Sequence, residues 1–98
     1  MTANGAHSAL VKSIKNLIHE HGGFCFKNWG GPMGTKGVSD IIGCYRGRAL
    51  AIEVKAGRDK LSGDQELFLK CWREAGGIAL EARDVQTVAR ALGIPLLL

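Results

Sequence analysis

Long apolar runs are missing from this chain of 98 residues. No stretch approaches the ~18 consecutive apolar residues of a membrane span, so none is expected. Met1 to Ser8 holds no apolar block of signal-peptide type, and a cytoplasmic protein is expected. Cysteine is scarce. Cys25, Cys44 and Cys71 lie far apart and form no CxxC pair, which excludes a zinc pattern. An odd count in a reducing context reads as three free, buried, small hydrophobes. Acidic side chains are few: nine against thirteen Lys and Arg, a net charge of +4. That balance is what a phosphate-binding surface needs. Internal repeats, low-complexity tracts and linkers are absent, and the length suits one domain over residues 1–98. Such a domain buries roughly 60–65% of its unfolded surface. A hydrophobic content of 46% excludes disorder.

The pattern of the remaining residues predicts the order αβββαβα. Leu10, Ile14, Leu17, Ile18 and His21 recur at helical spacing, predicting a helix over 7–21 that Gly22-Gly23 stops. His7 lies one turn before Leu10 on the same stripe. Phe24 to Asn28 reads as a strand, and the glycine-rich segment Trp29 to Gly37 as a loop. Strands over 39–45 and 49–55 flank the turn Arg46-Gly47-Arg48 and form a hairpin. Ser62 with Gln65 makes a capping box that starts a helix over 63–75, with Phe68, Cys71, Trp72 and Ala75 inward. A strand over 78–82 precedes a last helix over 83–92, capped by Asp84, with Val85, Val88, Ala89 and Leu92 inward. Such an order gives an α/β fold, a mixed sheet flanked by helices. The segment Ile94-Pro95-Leu96-Leu97-Leu98 is apolar enough to be buried, within the molecule or at an interface.

The charged residues of the second hairpin strand stand out. Side chains two apart on a strand share a face. Leu50, Ile52 and Val54 therefore point to a core, while Ala49, Ala51, Glu53 and Lys55 point the other way. Asp40 opens an otherwise apolar strand 13 positions before Glu53. Read blandly, Asp40 is a turn aspartate and Glu53 with Lys55 an exposed ion pair. Read chemically, two convergent carboxylates hold a divalent cation through oxygen, and a lysine beside them neutralises developing charge. That set suits metal-assisted phosphodiester hydrolysis.

These residues resemble the PD-(D/E)XK nuclease signature. Gly37-Val38-Ser39-Asp40 stands for the first half, with Ser39 where proline is usual, and Glu53-Val54-Lys55 for the second. With Gly30 to Gly37 before Asp40 and Lys55 to Gln65 after Glu53, the sequence from Leu10 to Leu92 is similar to the small, stand-alone, phage-type VRR-NUC domains. The resemblance implies a restriction-endonuclease-like fold and, if the chain is phage-encoded, the host cell cytoplasm. It implies Mg²⁺ or Mn²⁺ on Asp40, Glu53 and the Val54 carbonyl, catalytic roles for Lys55 and Gln65, and a 5′-phosphate product. Gln65 has a rival role as the capping-box residue, and one amide is not expected to serve both. Relatives carry a glutamate early in the first helix; that position falls near His7, which leaves His7 as a ligand or a site run by Asp40 and Glu53 alone. Glu20 lies about 20 Å further along the helix. Lys27, Lys36, Arg58 and Lys60 are candidate DNA contacts, as is Trp29 unless it is a half-buried loop residue. Trp72 reads as core.

The reading is a metal-dependent, structure-specific DNA endonuclease acting on branched DNA such as Holliday junctions, as a homodimer. The alternatives are a non-catalytic DNA-binding domain of the same fold and a nuclease that cuts linear duplex.

Overall fold

The computed structural model describes residues 3–30 and 34–96. Helix α1 (Ala3–Glu20) leads into β1 (Phe24–Lys27), then β2 (Ile41–Tyr45) and β3 (Arg48–Val54). Helix α2 (Gly63–Glu74), β4 (Ile78–Ala82) and α3 (Val85–Leu92) complete the order αβββαβα. The four strands lie β1-β2-β3-β4 in one sheet. The first three are antiparallel neighbours, and β4 runs parallel to β3. A parallel pair needs a crossover, and α2 supplies it. The mixed sheet flanked by helices is the architecture expected from the sequence.

The alternation on β3 decides what covers each face. Leu50, Ile52 and Val54 are fully buried against α1 and α3, beside Ile14, Ile18, Ile41 and Val88. On the opposite face Ala51 and Ala79 are buried beneath Leu69 of α2. Alanines there let α2 lie close to the sheet. Among the described residues no helix is long and apolar enough to cross a membrane.

Several expectations need correction. Helix α1 begins at Ala3 rather than His7, because its first turn carries no apolar periodicity to betray it. His21 lies past its end, exposed, with its ring N–H donating to the Leu17 carbonyl at 2.8 Å. On α2 the inward residue is Leu69; Phe68 and Trp72 are half-buried, Cys71 and Ala75 exposed. Trp72 lies at the edge of the core and donates its indole N–H to the Ala49 carbonyl at 3.2 Å. An amphipathic ring prefers such a boundary. Only Cys25 is a buried cysteine; Cys44 and Cys71 are exposed. The reason for Cys44 is that α2 packs mainly on β3 and β4, leaving Phe24, Phe26 and Cys44 exposed on the same face of β1 and β2. Ile94 is buried and Leu96 packs on the core, so the apolar tail folds back within the molecule as far as Leu96. Leu97 and Leu98 lie outside the described residues, as do Gly31, Pro32 and Met33 of the glycine-rich segment.

Candidate active site

The ladder between β2 and β3 ends at the pair Ile41–Ile52. Asp40 is the next residue, and its side chain takes over where the backbone pairing stops: Oδ2 accepts the Val54 N–H at 2.9 Å. Its own carbonyl accepts the Asn28 N–H at 2.7 Å, which ties the bend to the end of β1. The carboxylate is thereby fixed beside the last residues of β3. Glu53, one residue before Val54, faces the α2 side and is buried to 3% exposure. Lys55 continues on that face, with Nζ 3.6 Å from Glu53 Oε2. Its backbone N–H bonds the Ala82 carbonyl, extending the parallel ladder past the strand end.

Gln65 reaches the pair from the first turn of α2. Its Oε1 accepts the Ser62 N–H at 2.9 Å, and its Nε2 donates to Glu53 Oε2 at 3.3 Å. The expectation that one amide could not both cap the helix and face the site is therefore wrong. The carbonyl and amino ends of an amide point apart, so the cap fixes the rotamer that aims the N–H₂ at Glu53. Gly37 allows this approach. Its φ is +77°, and a Cβ there would collide with the backbone of Asp64 and Gln65.

His7 arrives from α1. Its Nε2 lies 3.1 Å from the Val54 carbonyl and 3.3 Å from Asp40 Oδ2. Both are acceptors, so this nitrogen carries the proton. Two oxygens expected to hold a cation thus converge on one point, which the His7 N–H takes. Lys27, expected only as a DNA contact, instead pairs with Asp40 Oδ1 at 3.2 Å. His7, Asp40, Glu53, Val54, Lys55 and Gln65 line one cleft of about 260 Å³ together with Asp59, a carboxylate the sequence reading missed. Asp59 sits in a polar loop, and only its closeness to Lys55 in the chain hints at it. Lys36, Arg58 and Lys60 are exposed and do not line this cleft; Trp29 is 86% exposed rather than half-buried. Ser39 is fully buried, and its Oγ has no hydrogen-bond partner among the described residues.

The electrostatics separate the two carboxyls. Burial, a hydrogen bond with Asp40 and the Asp40 charge push Glu53 up to about 8, against a smaller opposing pull from Lys55. Burial also acts to raise Asp40, but hydrogen bonds with Glu53 and the Val54 N–H, with Lys27 beside it, outweigh burial and hold it below the usual range. The pair therefore favours a single shared proton at neutral pH, with Glu53 the more basic of the two.

Because Glu53 binds its proton more tightly folded than unfolded, it contributes stability that is complete below about 4.5 and is lost as pH rises through about 8. Asp40 has the opposite sign: its contribution is lost as pH falls through its depressed folded value. In chelator, the melting temperature should decline from about pH 5 to about pH 8, by several degrees for a loss of about 1 kcal/mol or more. Glu53→Gln should flatten that slope in the same buffers. An unchanged slope in the variant would place the titration elsewhere.

The donors fit a hard divalent cation. Two carboxylates and a backbone carbonyl suit Mg²⁺ or Mn²⁺, which complete their shells with water and phosphate oxygen. Among the described residues no three or more His, Cys, Asp or Glu are gathered as a ligand cluster, so the chain would supply a small share of the shell.

No protein-family model matches the sequence, and no curated protein matches it. Among solved structures, one described as a VRR_NUC domain protein aligns with a TM-score of 0.66, over 95% of this chain and 86% of that one, at 16% sequence identity. That likeness is one of fold. The mixed sheet with its flanking helices is compatible with the restriction-endonuclease-like class.

Proposed function

We propose that the chain is a PD-(D/E)XK nuclease of VRR-NUC type that hydrolyses phosphodiester bonds in DNA with Mg²⁺ or Mn²⁺. One observation carries this reading: Asp40 and Glu53 line one polar cleft where the β2–β3 ladder ends, with Lys55 against Glu53. The fold likeness to a VRR_NUC domain protein supports it.

Asp40, Glu53 and the Val54 carbonyl would hold the cation once the His7 ring vacates the point its N–H takes between Asp40 and Val54. Bound there, it supplies Lewis acidity toward the phosphate and lowers the pKa of a water. The chain's own residues do the rest. Lys27 and the Val54 N–H hold Asp40 ionised and in place. Glu53 must give up its proton before it ligates, so affinity for the cation should rise with pH. Lys55 neutralises charge on the non-bridging phosphoryl oxygens. Gln65 fixes the Glu53 carboxyl from the capped start of α2.

Branched DNA and a homodimer belong to the same proposal. Resolving a junction needs two nicks, and two-fold symmetry supplies two sites. Phe24 at 68% and Phe26 at 50% exposure lie on the edge strand β1, an apolar surface suited to a second copy. Matched linear, flapped and four-way DNA, offered with Mg²⁺, should show paired, symmetric nicks on the four-way substrate, and light scattering should give twice the monomer mass. A monomer that nicks single sites on any duplex would remove this part and leave the nuclease. DNA binding without cleavage in any metal would favour the non-catalytic alternative.

A further inference from the structure

A groove of about 430 Å³ runs along α1 outside the carboxylate cleft. Ser8, Lys12, Lys15 and Asn16 line it from the helix, where residues three and four apart share a face. Lys27 and Trp29 face them from the end of β1 and the segment beyond. The fold gives little account of these residues. Lys12 and Lys15 have no ion-pair partner among the described residues, and like charges three apart disfavour the helix. Trp29 exposes 86% of its surface, and Lys27 Nζ stands 5.3 Å from its ring centroid on one face.

Two links join the groove to the site. Lys27 lines the groove while bonding Asp40 in the cleft. Ser8 lines the groove and its neighbour His7 lines the cleft. Lys12 and Lys15, one turn apart on α1, suit phosphates, and an exposed indole suits a base face. A base offers its face to a side chain only when it is out of the duplex stack.

We propose that this groove binds a single-stranded DNA segment next to the cleaved bond, with Lys12 and Lys15 on its phosphates and Trp29 stacked on an unpaired base. The inference rests on the nuclease reading and narrows its substrate class to branched duplex with an unpaired strand beside the cut, which competes with the fully paired four-way junction.

The test is binding in chelator, so that cleavage plays no part. Fluorescent duplexes with a 5′ or a 3′ oligothymidine tail are compared with a blunt duplex of equal length. The 98-residue chain should bind at least one tailed duplex about tenfold more tightly, the scale of one base–aromatic stack. Trp29→Ala should bring that affinity down to the blunt level, and Trp29→Phe should restore most of it. Lys12→Gln with Lys15→Gln should cut the salt slope of tail binding by about 1.4, for two phosphates released. In a Trp72→Phe background, the remaining Trp29 emission should be quenched by tailed DNA. Equal affinity for blunt and tailed duplexes, or a folded Trp29→Ala protein that keeps the preference, overturns the groove. Cleavage of blunt duplex with Mg²⁺ alongside that result would leave the nuclease reading standing. No cleavage of any DNA, with the tail preference intact, would sink the nuclease and keep the groove.

Discussion

Glu53→Gln should abolish cleavage, by about 10³-fold or more, while the protein stays folded and still binds DNA. Cation coordination needs the carboxylate charge, and glutamine cannot supply it. The fold should tolerate the change well. In the absence of metal Glu53 is held protonated near neutral pH, with its carboxyl pushed up to about 8. Glutamine copies the size and neutrality of that acid and leaves no new buried charge. Asp40→Asn should be as inactive for a different reason. It weakens the pairing with Lys27 and the hold on Val54, and it removes the negative charge that helps keep Glu53 protonated. The Glu53 carboxyl should therefore titrate lower in Asp40→Asn than in the wild type, which carboxyl-resolved NMR can read. Wild-type rates in either variant would end the proposed mechanism.

Lys55→Met should lose roughly 10²-fold in cleavage rate, the size of one charge-stabilising group. Methionine keeps much of the packing in a position where lysine is only 13% exposed, so folding should survive. The ammonium also acts on its neighbour. Lys55 pulls the Glu53 carboxyl down, and removing it should drive Glu53 further up. Cation binding by calorimetry should then shift to higher pH rather than vanish. If binding is lost at every pH at which the variant stays folded, Lys55 holds the site together rather than acting on phosphate.

The parts of this site that were legible in the sequence are those set by local periodicity. Alternation along β3 put Glu53 and Lys55 on one face and Val54 in the core. The spacing of Ser62 and Gln65 announced the start of α2, and Asp84 the start of α3. What was not legible depends on residues far apart in the chain. His7 reaches Asp40 across 33 positions and Val54 across 47. Lys27 looks like a surface cation until the bend at Asp40 is tied to Asn28. Gln65 seemed forced to choose between two roles because a motif shows one residue and not the two ends of its amide. The inward face of α2 was misplaced because apolar residues surround Leu69, and the alanines beneath it decide which one goes down. Lys12 and Lys15 drew no notice, since lysines on a helix face are ordinary until Trp29 and Lys27 are found opposite them.

The central claim is that Asp40 and Glu53 make a cation-dependent phosphodiesterase, and the most direct measurement is a nicking assay with reversible metal removal. Purified wild-type protein is mixed with a panel of supercoiled plasmid, flapped duplex and four-way DNA in Mg²⁺. Excess chelator is then added, and finally Mg²⁺ in excess of the chelator. The account predicts cleavage that stops with chelator and resumes on re-addition, faster at about pH 8.5 than at about pH 6.5 because Glu53 must lose its proton. Cleavage that continues in chelator would contradict it, as would a folded protein that leaves every substrate intact in both Mg²⁺ and Mn²⁺.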